Sequence, residues 1–108
     1  IDVSADAALE DRDKVAVSEE QRLILYRVTE EALTNVVKHG NATHAMVRGW
    51  VSDGQVNLSI QDDGDGFVVD EVTDGLGFAM MRDYADAAGG SIRLESAVGE
   101  GTTVCLTL

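Results

Sequence analysis

The stretch SEEQRLILYRVTEEALTNVVKHG, residues 18–40, decides how the rest of the chain is read. Ser18 is a good helix N-cap, Glu19 and Glu20 suit the positive end of the dipole, and Gln21 is placed for a capping box. Lys38 and His39 suit the negative end, and Gly40 supplies a left-handed stop. The spacing predicts a helix over Ser18–His39, about 33 Å long. Leu25, Val28, Ala32, Leu33 and Val36 form its apolar stripe. Glu31, Asn35 and His39 follow at i, i+4 and i+8 along the edge of that stripe, with Lys38 beside them. Taken alone, such an edge is an ordinary solvated face. It becomes the wall of a site only if other segments bring a ligand to it.

Working outward, the 108 residues make one domain, and 44% apolar with 26% charged residues is the balance of a globular one. No run approaches transmembrane length, and IDVSADAALEDRD at the start has no signal-peptide pattern. The formal charge of −12, from 20 acidic and 8 basic residues, repels nucleic acid and anionic lipid. An anionic ligand would need a metal ion or oriented amides to offset that charge. The single Cys105 excludes an internal disulfide, and its alternating run reads it as a small buried apolar residue.

Upstream, Ile1–Val3 reads as a short strand and Ser4–Val17 as an acidic, irregular connection. Downstream, alternation predicts a strand over His44–Val51, a turn at Asp53-Gly54, and a one-face-buried strand carrying Val56, Leu58 and Ile60. DDGDG, Asp62–Gly66, breaks that strand, and a short loop with Asp70, Glu71 and Asp74 follows. Gly75-Leu76-Gly77 opens a second helix over Gly77–Ala88, with Phe78, Met81, Ala85 and Ala88 on one side. Ser91–Ser96 and Thr102–Leu108 form a closing hairpin. Two amphipathic helices and mostly antiparallel pairing predict a two-layer α/β sandwich.

Three glycine-bearing segments carry possible chemistry. Asp62-x-Gly64-x-Gly66 reads either as an acidic turn or as a strand-end carboxylate that accepts from an exocyclic amine such as adenine's. Its acidic spacing is not that of an EF-hand. Gly75-Leu76-Gly77 offers helix-end amides to a phosphate but is no Rossmann fingerprint, because no strand leads directly into it. Gly99-x-Gly101-Thr102 turns the final hairpin.

Together, Glu31-x-x-x-Asn35 with Lys38-His39, then DxGxG, GLG and GxGT in that order resemble the GHKL ATPase superfamily. The tail GLGFAMMRDYADAAGGSIRLESAVGEGTTVCLTL and the segment EALTNVVKHGNA are similar to the catalytic domain of sensor histidine kinases that partner NarL-type response regulators. The resemblance covers about Glu20–Leu108 and implies the Bergerat α/β sandwich. It implies that Asn35 coordinates Mg²⁺, that Glu31 stands where related ATPases keep a general base, that Lys38 approaches the phosphates, and that His39 shapes the same wall. Asp62 would bind the adenine amine of ATP, Gly64 and Gly66 would permit its approach, Gly75 and Gly77 would flank the phosphates, and Thr102 would support the adenine pocket.

By the same resemblance, the γ-phosphoryl acceptor is a histidine on a separate dimerisation domain, and residues 1–108 are one cytoplasmic domain excerpted from a longer kinase, with no membrane or nucleic-acid contact of its own. Neither His39 nor His44 resembles the phosphoacceptor. The eight residues between Gly66 and Gly75 are short for a lid, and one of Asp70, Glu71 or Asp74 is expected to pair with Lys38 when nucleotide is absent. An anti-sigma-factor serine kinase uses similar boxes, but Met81–Ser96 favours the histidine kinase. A non-catalytic interaction module is a further alternative, disfavoured because the motif residues all survive together. DNA-topology and mismatch-repair ATPases need longer lids and further domains.

Overall fold

The computed structural model describes residues 2–8, 17–39, 41–67 and 77–108. Within them run β1 (Asp2–Ala8), α1 (Glu19–His39), β2 (His44–Ser52), β3 (Gln55–Asp62), α2 (Phe78–Ala87), β4 (Ser91–Ser96) and β5 (Thr102–Thr107). The five strands form one sheet in the order β1-β2-β3-β5-β4. Only β1 runs parallel to its neighbour, and the other pairings are antiparallel. The mixed, largely antiparallel sandwich expected from the sequence is therefore the fold, with α1 packed on α2, β2 and β3, and α2 also on β4.

α1 begins as its sequence dictates. The Ser18 N–H donates to Gln21 Oε1 and the Gln21 N–H donates to Ser18 Oγ, both at 3.0 Å. This closed capping box satisfies two donors that the first turn would leave open. The buried line of α1 is Ile24, Val28, Ala32 and Val36, spaced four apart. Leu25 and Leu33, expected in the stripe, flank it half-buried, and Ile24 replaces them at its centre. Strict four-residue spacing tracks one line of the helix surface, and the expected set straddled it.

Against that line lie Phe78, Met81 and Ala85 of α2, and Leu58, Ile60, Val104 and Leu106 of the sheet. Each large apolar side chain buried there contributes roughly 1.5–3 kcal/mol. The exposed Arg93–Glu95 ion pair, at 2.8 Å, contributes at most about 1 kcal/mol. The core, not surface charge, holds the layers together.

Two expectations change. The first strand continues to Ala8, through residues read as an irregular connection, pairing Asp2 with His44 and Ala8 with Trp50. Its run DVSADAA has little strand propensity, so the open edge of β2 supplies the order that the residues do not. Cys105 is half-buried rather than buried: it alternates with Val104 and Leu106 and faces the opposite side of the sheet, beside Ser59 and Arg93. The expected turn at Asp53-Gly54 stands, both residues having left-handed backbone. Ile1, most of the connection before α1, and Gly40 lie outside the described residues.

Ser18→Ala opens the capping box without touching the core. It should cost about 1 kcal/mol, lowering the thermal midpoint by roughly 4–8 °C, as read by circular dichroism.

Candidate nucleotide site

The site arises where the inward-facing rows of the sheet change character. Ile60 of β3 lies opposite Val104 of β5, which lies opposite Leu94 of β4. One alternation further on, the same three strands bring Asp62 opposite Thr102 and Thr102 opposite Ser96. Side chains directly opposite share a face, so an apolar layer is followed by a polar one. A cleft partly open to solvent lies over this boundary. Ala32, Asn35 and Val36 of α1 wall one side, Phe78 and Met81 of α2 another, and Asp62, Thr102, Gly66 and Phe67 its polar end.

Asp62 is only 9% exposed. Burial pushes its pKa above the ordinary value, the backbone amides of Gly64 and Thr102 oppose that shift, and the charge of Asp63 adds to it. The Gly64 N–H donates to Asp62 Oδ1 at 2.8 Å. A carboxylate so held, beside Ile60, Met81, Leu94 and Val104, suits a flat apolar ligand that offers an N–H at one edge.

The turn carrying these groups is tied down on two sides. Asp63 Oδ1 accepts from the Thr43 and His44 amides at 2.9 Å each, its Oδ2 accepts from the Thr43 hydroxyl at 2.8 Å, and the Asp63 N–H donates to the His44 carbonyl at 3.2 Å. These bonds hold the Asp63 pKa below the ordinary value. On the other side the Gly99 N–H donates to the Asp65 carbonyl at 2.6 Å, and the Phe67 N–H donates to Ser96 Oγ at 3.0 Å. Gly66 lies between, with φ +65°, and a Cβ there would overlap the Ala97 carbonyl and come within 2.9 Å of the Gly101 carbonyl.

Of the residues expected to form the site, Asn35, Asp62, Gly66 and Thr102 line the cavity, and Gly64 is buried as a donor to Asp62. Glu31 does not line it, but meets the start of α2: a Cβ on Gly77 would strike the Glu31 carboxylate, so these two motifs touch. Lys38 is exposed and lies on a separate shallow groove with Tyr26, Glu30 and Val37. His39 ends α1, and its side chain lies outside the described residues, as do Gly75 and the lid carboxylates Asp70, Glu71 and Asp74, with their expected pairing to Lys38. Ser96, Phe67 and Asp63 were not anticipated. Extending the alternation Ile92, Leu94 by one more step would have found Ser96.

Residues 20–108 match the family described as histidine kinase-, DNA gyrase B-, and HSP90-like ATPase. The chain belongs to this family. Over 94 residues it is 38% identical to the signal transduction histidine-protein kinase/phosphatase UhpB of Salmonella typhimurium, covering 87% of the chain and 19% of that protein. The sensor protein VraS of Staphylococcus aureus is 36% identical over 81 residues, 74% of the chain and 23% of its own length. The chain thus spans about a fifth of the curated relatives it matches. Among solved structures, the ATP-binding domain of PrrB from Mycobacterium tuberculosis superposes with a TM-score of 0.65 at 30% identity, covering 82% of this chain and 65% of that one. The blue-light activated histidine kinase of Erythrobacter litoralis EL346 shares the fold, with a TM-score of 0.79 at 22% identity over 99% of this chain and 37% of that one.

Two substitutions test this geometry. Gly66→Ala forces the turn away from two backbone carbonyls, and should cost roughly 2 kcal/mol in urea unfolding. For Asp63, a depressed folded pKa means stabilisation that is present above the ordinary value of 3.8 and lost as pH falls through the folded value. Asp63→Asn should therefore be less stable than the parent at neutral pH, with the gap closing below about pH 3.8 in acid-titrated thermal melts.

Proposed function

We propose that this chain is the ATP-binding catalytic domain of a sensor histidine kinase, which binds Mg-ATP and passes the γ-phosphoryl group to a histidine on a separate dimerisation domain. The observation that carries the reading is Asp62: a buried carboxylate at the polar end of an otherwise apolar cavity, with Asn35 on the facing helix. Asp62 accepts a hydrogen bond from the adenine amine while the ring packs among Ile60, Met81 and Val104. Thr102 supports the same edge. Gly64 and Gly66 let the backbone approach the base.

The residues present fit a magnesium ion. Asn35 offers a hard, neutral amide oxygen at the cavity wall, and Mg²⁺ characteristically takes one or two protein oxygens with phosphate oxygens and water. The ion would supply neutralisation of phosphate charge, which a domain of net charge −12 otherwise lacks. Glu31, beside Gly77, stands where related ATPases keep a general base. The backbone at Gly75 and Gly77 flanks the phosphates, with His39 at the end of α1, whereas Lys38 faces the separate groove and takes no part in that wall. Phosphoryl transfer asks mainly for positioning and charge compensation, which these groups supply without a covalent intermediate on the domain.

The similarity to UhpB and VraS supports the signalling role, and the sequence pattern of 31–42 and 75–108 points to a NarL-type response regulator as the downstream partner. The domain works in the cytoplasm, where ATP is available. No helix among the described residues is long and apolar enough to cross a membrane.

Fluorescence of a bound nucleotide analogue tests the assignment. Asp62→Asn should weaken binding about tenfold or more, since a charged acceptor is lost from a desolvated site. Asn35→Ala should keep base recognition and lose the dependence of affinity on Mg²⁺. Equal binding by the parent and both variants would refute the reading.

A further inference from the structure

The polar row beneath the cavity ends in Ser96, a residue given no role so far. Its hydroxyl has three partners. It donates to the Gly101 carbonyl at 2.9 Å, accepts from the Phe67 N–H at 3.0 Å, and lies 2.9 Å from Thr102 Oγ1. A serine hydroxyl has one proton and two lone pairs. With the proton on Gly101 and one lone pair taken by Phe67, only the second lone pair remains for Thr102. The Thr102 hydroxyl must therefore be the donor in that bond. Its single proton is spent on Ser96, and what it can turn to the cavity is lone pairs alone.

We propose that Ser96 is a positioning residue for base selection: by claiming the Thr102 proton, it makes the polar end of the cavity an all-acceptor surface. Asp62 is an acceptor already, with Gly64 donating to it. Two acceptors side by side favour a ring edge that carries an amine and oppose one that carries a carbonyl, whose lone pairs would face theirs. The same hydroxyl ties Phe67, the first residue beyond the DDGDG turn, to the β4–β5 turn. The choice of base and the seating of that turn thus share one side chain. This inference rests on the adenine reading of Asp62, and it deepens that reading by naming what sets the polarity of the pocket.

Inosine triphosphate is the probe: it replaces the amine of ATP with a carbonyl and the N1 acceptor with N1–H, changes common to the parent and every variant, and leaves the ribose and phosphates unchanged. Calorimetry would give the ratio of ATP to inosine triphosphate affinity, a quantity that does not change with the fraction of protein correctly folded. Ser96→Ala releases the Thr102 proton to donate to the carbonyl, and the preference for ATP should fall roughly three- to tenfold, the worth of one neutral hydrogen bond. Ser96→Thr keeps the hydroxyl and should keep the parent's ratio. Adding Thr102→Val to Ser96→Ala should remove the gain in inosine triphosphate binding, because the gain depends on the freed hydroxyl. If Ser96→Ala binds neither nucleotide, Ser96→Cys gives the ratio, with the same expected fall, since a thiol is a weak acceptor. An unchanged ratio in the alanine or cysteine variant overturns the role of Ser96. Asp62→Asn separates this from failure of the underlying reading: if it leaves ATP affinity intact, the adenine assignment falls, whereas weakened ATP binding there with no change at Ser96 removes only the present inference.

Discussion

Taking a carboxylate out of water is costly unless donors compensate for the lost hydration, and the polar end of this fold is organised around meeting that cost at Asp62. The residue sits at the last inward position of β3, where another apolar side chain would have extended the core. The Gly64 and Thr102 amides turn toward it, the first because the chain reverses immediately after the strand, the second because β5 lies alongside. That reversal needs Gly66 against the β4–β5 turn and Asp63 clamped to Thr43 and His44. A single buried charge thereby links the sheet, both hairpins and the exit from α1.

Adjacent acids in the DDGDG turn do opposite work. Asp62 faces inward, and desolvation makes its ionised form harder to keep; Asp63 faces outward, and three donors make its ionised form easier to keep. Strand alternation alone separates them. The acidic-turn reading describes Asp63, and the proposed ligand contact falls on Asp62, one residue away.

Much of this was legible in the residues. The capping box at Ser18 and Gln21, the Asp53-Gly54 turn and the alternation of β3 and β5 depend on neighbours in sequence, and they stand as read. What escaped reading depends on distant neighbours. β1 is ordered by the edge of β2, 42 residues on at the Asp2–His44 pair, and no local propensity announces it. Ser96 acquires its meaning only from being opposite Thr102 and within reach of Phe67. Asp62, Asn35 and Thr102 were identified by motif, but that they share one cavity, and that Lys38 lies on another surface, required the packing of α1 against the sheet.

The insertion of β5 between β3 and β4 has a thermodynamic consequence. One hairpin, β2–β3, brings Asp62, and the other, β4–β5, brings Thr102 and Ser96, so neither possesses half a working site. The pocket exists only in molecules whose two hairpins have docked, and a ligand gripping both strands acts as a staple across that seam. At a concentration 100 times its dissociation constant, such a ligand adds about 2.7 kcal/mol to the docked state, comparable with burying one large side chain. In this arrangement, occupancy of the pocket and integrity of the sheet are linked equilibria, each favouring the other.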